Sequence, residues 1–299
     1  MSSGLHGIIP PMTTPFDAEG AIDEGALRAQ VRWLLAAGVH GLAVGGSTGE
    51  GHALDRDELR RLVATVAEEV AGRVPVIAGI IVDSTRDAIR RGKAVGGLGV
   101  AALQVTPVHY LFRPDDDAML GHFRAIAEAT GLPVVIYNVV PWSYLSPELL
   151  CRIMDAVPGV IGVKQSAGDL KLLADLLLAA PAHGRILSAV DALLYPSFAL
   201  GAHGAIAAIL AAAPRACVEL WDAVQRGDHA AALARHRRLL PLWNAMALDN
   251  LPACTKYAQT VQGCPGGHPR APMPAASLAR QRAIAAALDG LGEARAAAE

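Results

Sequence analysis

Cysteine is scarce: the 299 residues hold four, and none forms a C-x-x-C pair. That excludes a disulfide framework and the usual thiol metal motifs. Cys151, Cys217, Cys254 and Cys264 read as reduced, mostly buried thiols of a cytoplasmic protein. No apolar stretch free of Gly, Pro and charge approaches the length of a membrane span. The opening Met1-Ser2-Ser3-Gly4-Leu5-His6 has neither the charged start nor the apolar segment of a signal peptide. Net charge is −2, with no basic stripe and no acidic tail, so nucleic-acid and anionic-membrane binding lack electrostatic support. The expectation is a cytoplasmic protein without nucleic-acid or membrane partners.

What is present is a large apolar fraction, 53% against 18% charged, enough for a sizeable core and too much for disorder. Short apolar runs at 7–11, 41–44, 74–79, 100–105, 133–137, 160–164, 185–189 and 204–207 read as buried strands, with helical patterns between them. In 55–70, Leu59, Leu62, Val63, Val66 and Val70 fall on one helical face, and Asp55 with Glu58 suggests a capping box. In 114–130, Pro114 is placed as a first-turn proline, followed by Asp115, Asp116 and Asp117 at the positive end of the helix dipole. The acidic trio therefore reads as a helix start and not as a metal site.

Eight strand signals, each followed by a helix signal, predict an α/β fold, a parallel (β/α)8 TIM barrel, which reaches this length as one unit. Further helical patterns at 213–225, 230–248, 251–262 and 275–288 exceed what a barrel needs. We expect the barrel to occupy residues 1–226. Residues 227–299 are then a C-terminal helical extension, not an independent domain, with 265–269 a loop inside it.

In such a barrel the chemistry gathers at the C-terminal strand ends. Lys164 closes the apolar run Val160-Ile161-Gly162-Val163 and is followed at once by polar residues. An amine at the edge of a low-dielectric core is disfavoured as ammonium and becomes available to attack a carbonyl. Taken alone, a strand-end lysine is more often a side chain that carries its amine out to solvent; the motifs upstream reverse that reading. The second strand leads into Gly45-Gly46-Ser47-Thr48-Gly49-Glu50-Gly51, which can turn sharply and aim N–H groups at an anion. It lacks the lysine of a P-loop and the spacing of a dinucleotide fingerprint, so a small carboxylate at the Ser47 and Thr48 amides fits better. Tyr137 ends the fifth strand, where its hydroxyl either faces the mouth or is simply buried and satisfied. An amine, a phenol and an anion nest together meet the needs of Schiff-base chemistry on a 2-oxo acid, with no metal and no cofactor.

Three motifs, Gly46-Ser47-Thr48-Gly49-Glu50, Tyr137-Asn138-Val139 and Gly162-Val163-Lys164-Gln165-Ser166-Ala167-Gly168-Asp169, occur in the order and spacing of the dihydrodipicolinate synthase / N-acetylneuraminate lyase family. The opening Gly7-Ile8-Ile9-Pro10-Pro11-Met12-Thr13-Thr14-Pro15-Phe16 also resembles that family's first strand, and the resemblance spans essentially the whole chain. It implies class I aldolases: (β/α)8 barrels, usually homotetramers built as dimers of dimers, that join pyruvate to an aldehyde or release it through a lysine Schiff base. By match, Lys164 is the Schiff-base lysine and Tyr137 the general acid/base. Ser47 and Thr48 hold the carboxylate, with the Ser47 hydroxyl in the proton relay. A tyrosine donated by a neighbouring subunit completes that relay in relatives; His109 and Tyr110 are the candidates here, and Tyr110 keeps the phenol chemistry. Ala189, Asp191, Ile206 and Trp142 complete the candidate substrate-binding set.

The second substrate is where the chain departs from its relatives. Dihydrodipicolinate synthases carry an arginine shortly after Tyr-Asn-Val-Pro that grips the carboxylate of aspartate semialdehyde; here the segment reads Val139-Val140-Pro141-Trp142-Ser143-Tyr144, and the next arginine is Arg152. Trp and Ser cannot replace a bidentate clamp. Towards the sialic acid lyases, Asp191 fits, but Ala189, Ala192 and Ala208 stand where a glycine, an acid and a hydroxyl are expected. Trp142 and Tyr144 suggest a less polar aldehyde. The expectation is a Schiff-base lyase acting on pyruvate or another 2-oxo acid and an aldehyde that is neither aspartate semialdehyde nor sialic acid. The alternatives are dihydrodipicolinate synthesis, a 2-oxo acid dehydratase or deaminase using the same lysine, and a non-catalytic 2-oxo acid binder.

Overall fold

The apolar runs become the strands of a barrel because each is covered on both faces, inside by its counterparts and outside by helices. The structure, a computed structural model, describes residues 4–247 and 250–292. Its strands are β1 (Gly7–Ile8), β2 (Leu42–Val44), β3 (Val76–Ile80), β4 (Ala102–Val105), β5 (Val134–Asn138), β6 (Val160–Gln165), β7 (Arg185–Ser188) and β8 (Gly204–Ala205). All pair in parallel in the order β1-β8-β7-β6-β5-β4-β3-β2. Just beyond β1, a parallel bridge from Pro11 to Ala43 of β2 closes the ring. Alternation sends Ile9, Ala43, Ile77, Ala102, Val135, Leu187 and Ile206 inward, where they form one buried cluster. The residues between them join the larger core under the helices.

The surrounding helices are α1 (Glu24–Ala36), α2 (Arg56–Val70), α3 (Thr85–Val95), α4 (Asp116–Thr130), α5 (Pro147–Ala156), α6 (Leu170–Ala179) and α7 (Leu194–Ala199). After β8 come α8 (Ala208–Ala212), α9 (Pro214–Gln225), α10 (His229–Met246), α11 (Leu251–Val261) and α12 (Leu278–Leu291). The capping box of α2 is formed: Asp57 N and Glu58 N donate to Asp55 Oδ1, each at 2.8 Å, and Asp55 N donates to Glu58 Oε2 at 3.0 Å. A cap of this kind stabilises a helix by about 1 kcal/mol.

Three expectations are corrected. Asp115, not a residue inside the helix, is the N-cap of α4 and accepts from Ala118 N at 2.8 Å, so Pro114 stands outside the first turn. A carboxylate at the N-cap satisfies a backbone N–H that proline at the first turn could not. The short helix α8 was not foreseen, since five successive buried apolar residues carry no helical period. Ser277 caps α12, which therefore starts at Leu278, three residues after the expected 275. Position 248 of the expected 230–248 helix lies outside the described residues. Asp116 pairs with Arg113 at 3.0 Å and Asp117 with Arg152, in keeping with a charged helix start.

Candidate active site

Parallel register sets the main side chains side by side. Tyr137 of β5 is the register partner of Lys164 of β6. Both therefore face the interior at the C-terminal rim, and they are 5% and 3% exposed. Lys164 Nζ lies 3.7 Å from the centroid of the Tyr137 ring. The Tyr137 hydroxyl donates to Ser47 Oγ at 3.2 Å, across the mouth from the loop after β2. Ser47 is itself open to solvent and Thr48 beside it is buried. An amine, a phenol and a hydroxyl are thus joined in one line running from the core to the surface.

Glycines give the loop after β2 its shape. A Cβ at Gly51 would sit 1.9 Å from Gly45 O, and one at Gly49 would sit 2.7 Å from Met12 O. Only residues without side chains let the backbone fold back this tightly. Glu50 N donates to Ser47 O and Gly51 N to Gly46 O, each at 3.0 Å, which closes the turn that presents Ser47 and Thr48.

Asp191 follows β7 and is buried. Its Oδ1 accepts from Ile209 N, at the start of α8, at 2.7 Å. Burial pushes its carboxyl up to about 6, against the lowering effects of backbone N–H groups and of Lys164. Ile206 is fully buried in the inner barrel cluster, and Ala189 is half-buried at the rim.

The neighbouring part of the mouth, above β4 and β5, is built from loops. His109 N and Tyr110 N both donate to Asp83 Oδ1 at 2.9 Å, and His109 Nδ1 stands 3.2 Å from the same oxygen. Trp142 Nε1 donates to His109 O at 2.9 Å, tying the loop after β5 to the loop after β4. Asn138 steadies the loop that carries Trp142: its Nδ2 donates to Leu145 O at 3.1 Å and its Oδ1 accepts from Leu145 N at 2.9 Å. Tyr144 OH donates to Ser166 O at 3.4 Å, and burial, with Tyr137 nearby, holds its phenol above the usual range. Trp142 is exposed and not part of the core.

The sequence-predicted residues therefore fall into two groups. Lys164, Tyr137, Ser47 and Thr48 line one part of the mouth, and Asp191 is close enough for Lys164 to lower its pKa. Tyr110 does not join them: among the described residues its phenol makes no hydrogen bond to Tyr137 or Ser47. One interior residue, Gln104, escaped the sequence reading; Thr106, in the segment that follows the fourth strand, stands next to it on the same face. Gln104 and Thr106 share the inward face of Ala102 on the β4 line, are buried, and have no protein partner for their side-chain polar atoms among the described residues. A Cβ on Gly46 would lie 3.4 Å from Gln104 Nε2, so that amide sits against the loop before Ser47. The signal was a glutamine inside an otherwise apolar strand.

The family model described as the dihydrodipicolinate synthetase family matches residues 4–291. The chain belongs to this family. It is 37% identical over 293 residues to a 4-hydroxy-tetrahydrodipicolinate synthase of Acidiphilium cryptum, a match covering 96% of this chain and 99% of that one. To the enzyme of the same name from Thermomicrobium roseum it is 38% identical over 286 residues, covering 94% and 93%. Among solved structures it is similar to YagE, a prophage protein of this family from E. coli K12 in complex with pyruvate. There the TM-score is 0.92 at 28% identity, covering 97% of this chain and 99% of that one. As a dihydrodipicolinate synthetase family member the chain has the (β/α)8 barrel with C-terminal helices and is a lyase of the aldolase type. No helix among the described residues is long and apolar enough to cross a membrane.

Proposed function

We propose that this protein is a class I, lysine-dependent lyase that joins pyruvate, or another 2-oxo acid, to an aldehyde or releases it from one. The observation that carries the reading is Lys164 Nζ packed 3.7 Å from the ring of Tyr137, whose hydroxyl is bonded to Ser47. Lys164 attacks the 2-oxo carbonyl and, with loss of water, forms the imine; Tyr137 moves protons to and from the reacting centre through Ser47. The Ser47 and Thr48 amides receive the carboxylate. Ala189, Asp191, Ile206 and Trp142 belong to the substrate-binding set. YagE, at 28% identity, was solved with pyruvate, which supports the 2-oxo acid half.

For the aldehyde the loop after β5 decides our reading. Arg152, the first arginine after Tyr137, lies in α5 and pairs with Asp117 at the surface. Nothing in residues 139–144 can grip a second carboxylate bidentately, and Trp142 and Tyr144 offer aromatic surface instead. We therefore assign an acceptor that is neither aspartate semialdehyde nor sialic acid. The second reading is 4-hydroxy-tetrahydrodipicolinate synthesis, favoured by the names of relatives at 37% and 38% identity. The enzyme is cytoplasmic in this reading and works as a homotetramer in which Tyr110 completes a neighbour's site. The exposed side chains of Tyr110, Leu111 and Phe112 favour such a contact. A barrel through residue 226 carrying a helical extension is part of the same reading.

Borohydride reduction in the presence of pyruvate is the test, with the expected mass increase located on Lys164. Absence of any adduct overturns the Schiff-base reading. Turnover would then be compared for aspartate semialdehyde and for uncharged aromatic and aliphatic aldehydes. Preference for aspartate semialdehyde replaces our acceptor with the second reading.

A further inference from the structure

The helix α11 does more than cover the barrel. Lys256 and Gln259 lie three residues apart on one face, and that face is turned to the C-terminal rim. Lys256 Nζ donates to Glu50 Oε1 at 2.5 Å and to His268 O at 2.6 Å. Lys256 and Glu50 are 2% and 1% exposed, which makes this a fully buried ion pair. The other carboxylate oxygen, Glu50 Oε2, accepts from Arg270 N at 2.8 Å. Phe16 packs beneath, with its ring centroid 4.7 Å from Lys256 Nζ and 4.1 Å from Arg270 Cζ. Both partners of the Glu50 carboxylate thus come from beyond the barrel, more than 200 residues later in the chain.

Glu50 belongs to the turn that presents Ser47 and Thr48, and its φ of 53° is in the left-handed region. A residue that carries a Cβ stays in that region only where its surroundings hold it. The turn is also held from the segment after β1, where Thr14 Oγ1 donates to Gly49 O at 2.6 Å. Gln259 reinforces that side: it accepts from Thr13 Oγ1 at 2.8 Å and donates to Ala211 O at 3.1 Å. One face of α11 therefore joins the loops after β1 and β2 to the helix α8.

We propose that Lys256 is a positioning residue for the substrate carboxylate. Its ion pair with Glu50 holds the turn so that the Ser47 and Thr48 amides point at the bound 2-oxo acid. This inference rests on the carboxylate role given to Ser47 and Thr48 above. Lys256 touches no substrate; it acts through Glu50. The C-terminal extension is then part of the binding machinery.

The experiment uses the full chain and two readouts. One is the pyruvate concentration giving half-maximal borohydride trapping on Lys164; the other is backbone hydrogen exchange in residues 45–51. For Lys256→Met the half-saturating concentration should rise about tenfold or more, as misplaced contacts do, with faster exchange in the turn. The double variant Lys256→Met/Glu50→Gln leaves no unpaired buried charge, so its Tm should match or exceed that of the wild type. Its half-saturation should nevertheless stay raised, a separation of stability from binding that a merely structural pair would not produce. Lys256→Arg should recover part of the affinity, to within about fivefold of wild type, because it keeps the charge but not the geometry. A folded double variant with wild-type half-saturation and wild-type exchange overturns the proposal. So does failure of both neutral variants to fold while Lys256→Arg equals the wild type, since the pair then serves folding alone. If the wild type itself traps no pyruvate, the Schiff-base reading fails, and the exchange measurement still tests the clamp.

Discussion

On one side of the barrel mouth, Lys164 and Tyr137 are 3% and 5% exposed and locked into contacts within a single chain. Beside them, in the loops after β4 and β5, Tyr110, Leu111, Phe112 and Trp142 stand 66%, 87%, 63% and 71% exposed. Strand ends build the first wall, and their register places each side chain beside the next. Loops build the second, held mainly by Asp83 and by the indole of Trp142. Leu111 there even adopts a left-handed φ of 66° while exposed. Strands specify geometry through many ladder bonds, whereas a loop can change its side chains without disturbing the scaffold. The chemistry attributed to the 2-oxo acid sits on the rigid wall, and the departures from relatives sit on the variable one. Four neighbouring exposed apolar side chains also exceed what a solitary surface needs, which is why the proposed subunit contact is put there.

The sharpest way to break this comparison is to remove the nucleophile. Lys164→Ala should abolish both the trapped adduct and turnover, and any remaining pyruvyl mass on the protein would assign the imine to another amine. Next in size, Tyr137→Phe should lower the rate by about 10²–10⁴-fold while pyruvate still binds, the usual contribution of a positioned acid/base. Normal turnover by that variant would remove Tyr137 from the relay.

Two buried groups test the rigid wall and its support by pH, with opposite signs. Asp191 titrates at about 6 in the fold against 3.8 unperturbed, so the folded state holds its proton more tightly. Its stabilising contribution is complete below the lower value and is lost as pH rises through about 6. Asp191→Asn should therefore match the wild type near pH 4 and exceed it by up to about 3 kcal/mol above pH 7, read from denaturant midpoints. His122, on α4, accepts or donates through Nδ1 to Thr85 Oγ1 at 2.9 Å, and burial lowers its pKa to about 4 from 6.5. Here the unfolded chain takes the proton first, so stability is lost as pH falls from about 6.5 towards 4. His122→Gln should remove up to about 3 kcal/mol of that acid sensitivity, with little change at pH 8. A flat comparison with wild type in either series would show that burial does not set that group's titration.

The smallest effect is expected on the variable wall. Trp142→Ala should leave pyruvate trapping unchanged and raise KM for the aldehyde by about tenfold, the scale of one lost apolar pocket contact. A larger loss in pyruvate trapping than in aldehyde KM would place Trp142 with the first wall instead.

Most of the barrel was legible because its signals are local. Buried strands repeat as short apolar runs, and Asp55 with Glu58 forms the expected capping box from four neighbouring residues. The placing of Ser47, Tyr137 and Lys164 at the C-terminal ends of β2, β5 and β6 also follows from the chain alone, since parallel strands all end on one face. Pro114 and α8 were misread where a competing cap or the lack of any periodicity hid the local signal.

What the amino-acid sequence determined by itself was the architecture and the set of residues to which imine chemistry is attributed. The tertiary structure alone decided which of them touch. It brought the Tyr137 hydroxyl to Ser47, 90 positions away, left Tyr110 outside that pair, and set Lys256 against Glu50, 206 positions apart. Periodicity and capping depend on neighbours a few residues distant, but an ion pair across the whole chain exists only once the barrel has closed. Its energy then depends on the burial that closure creates.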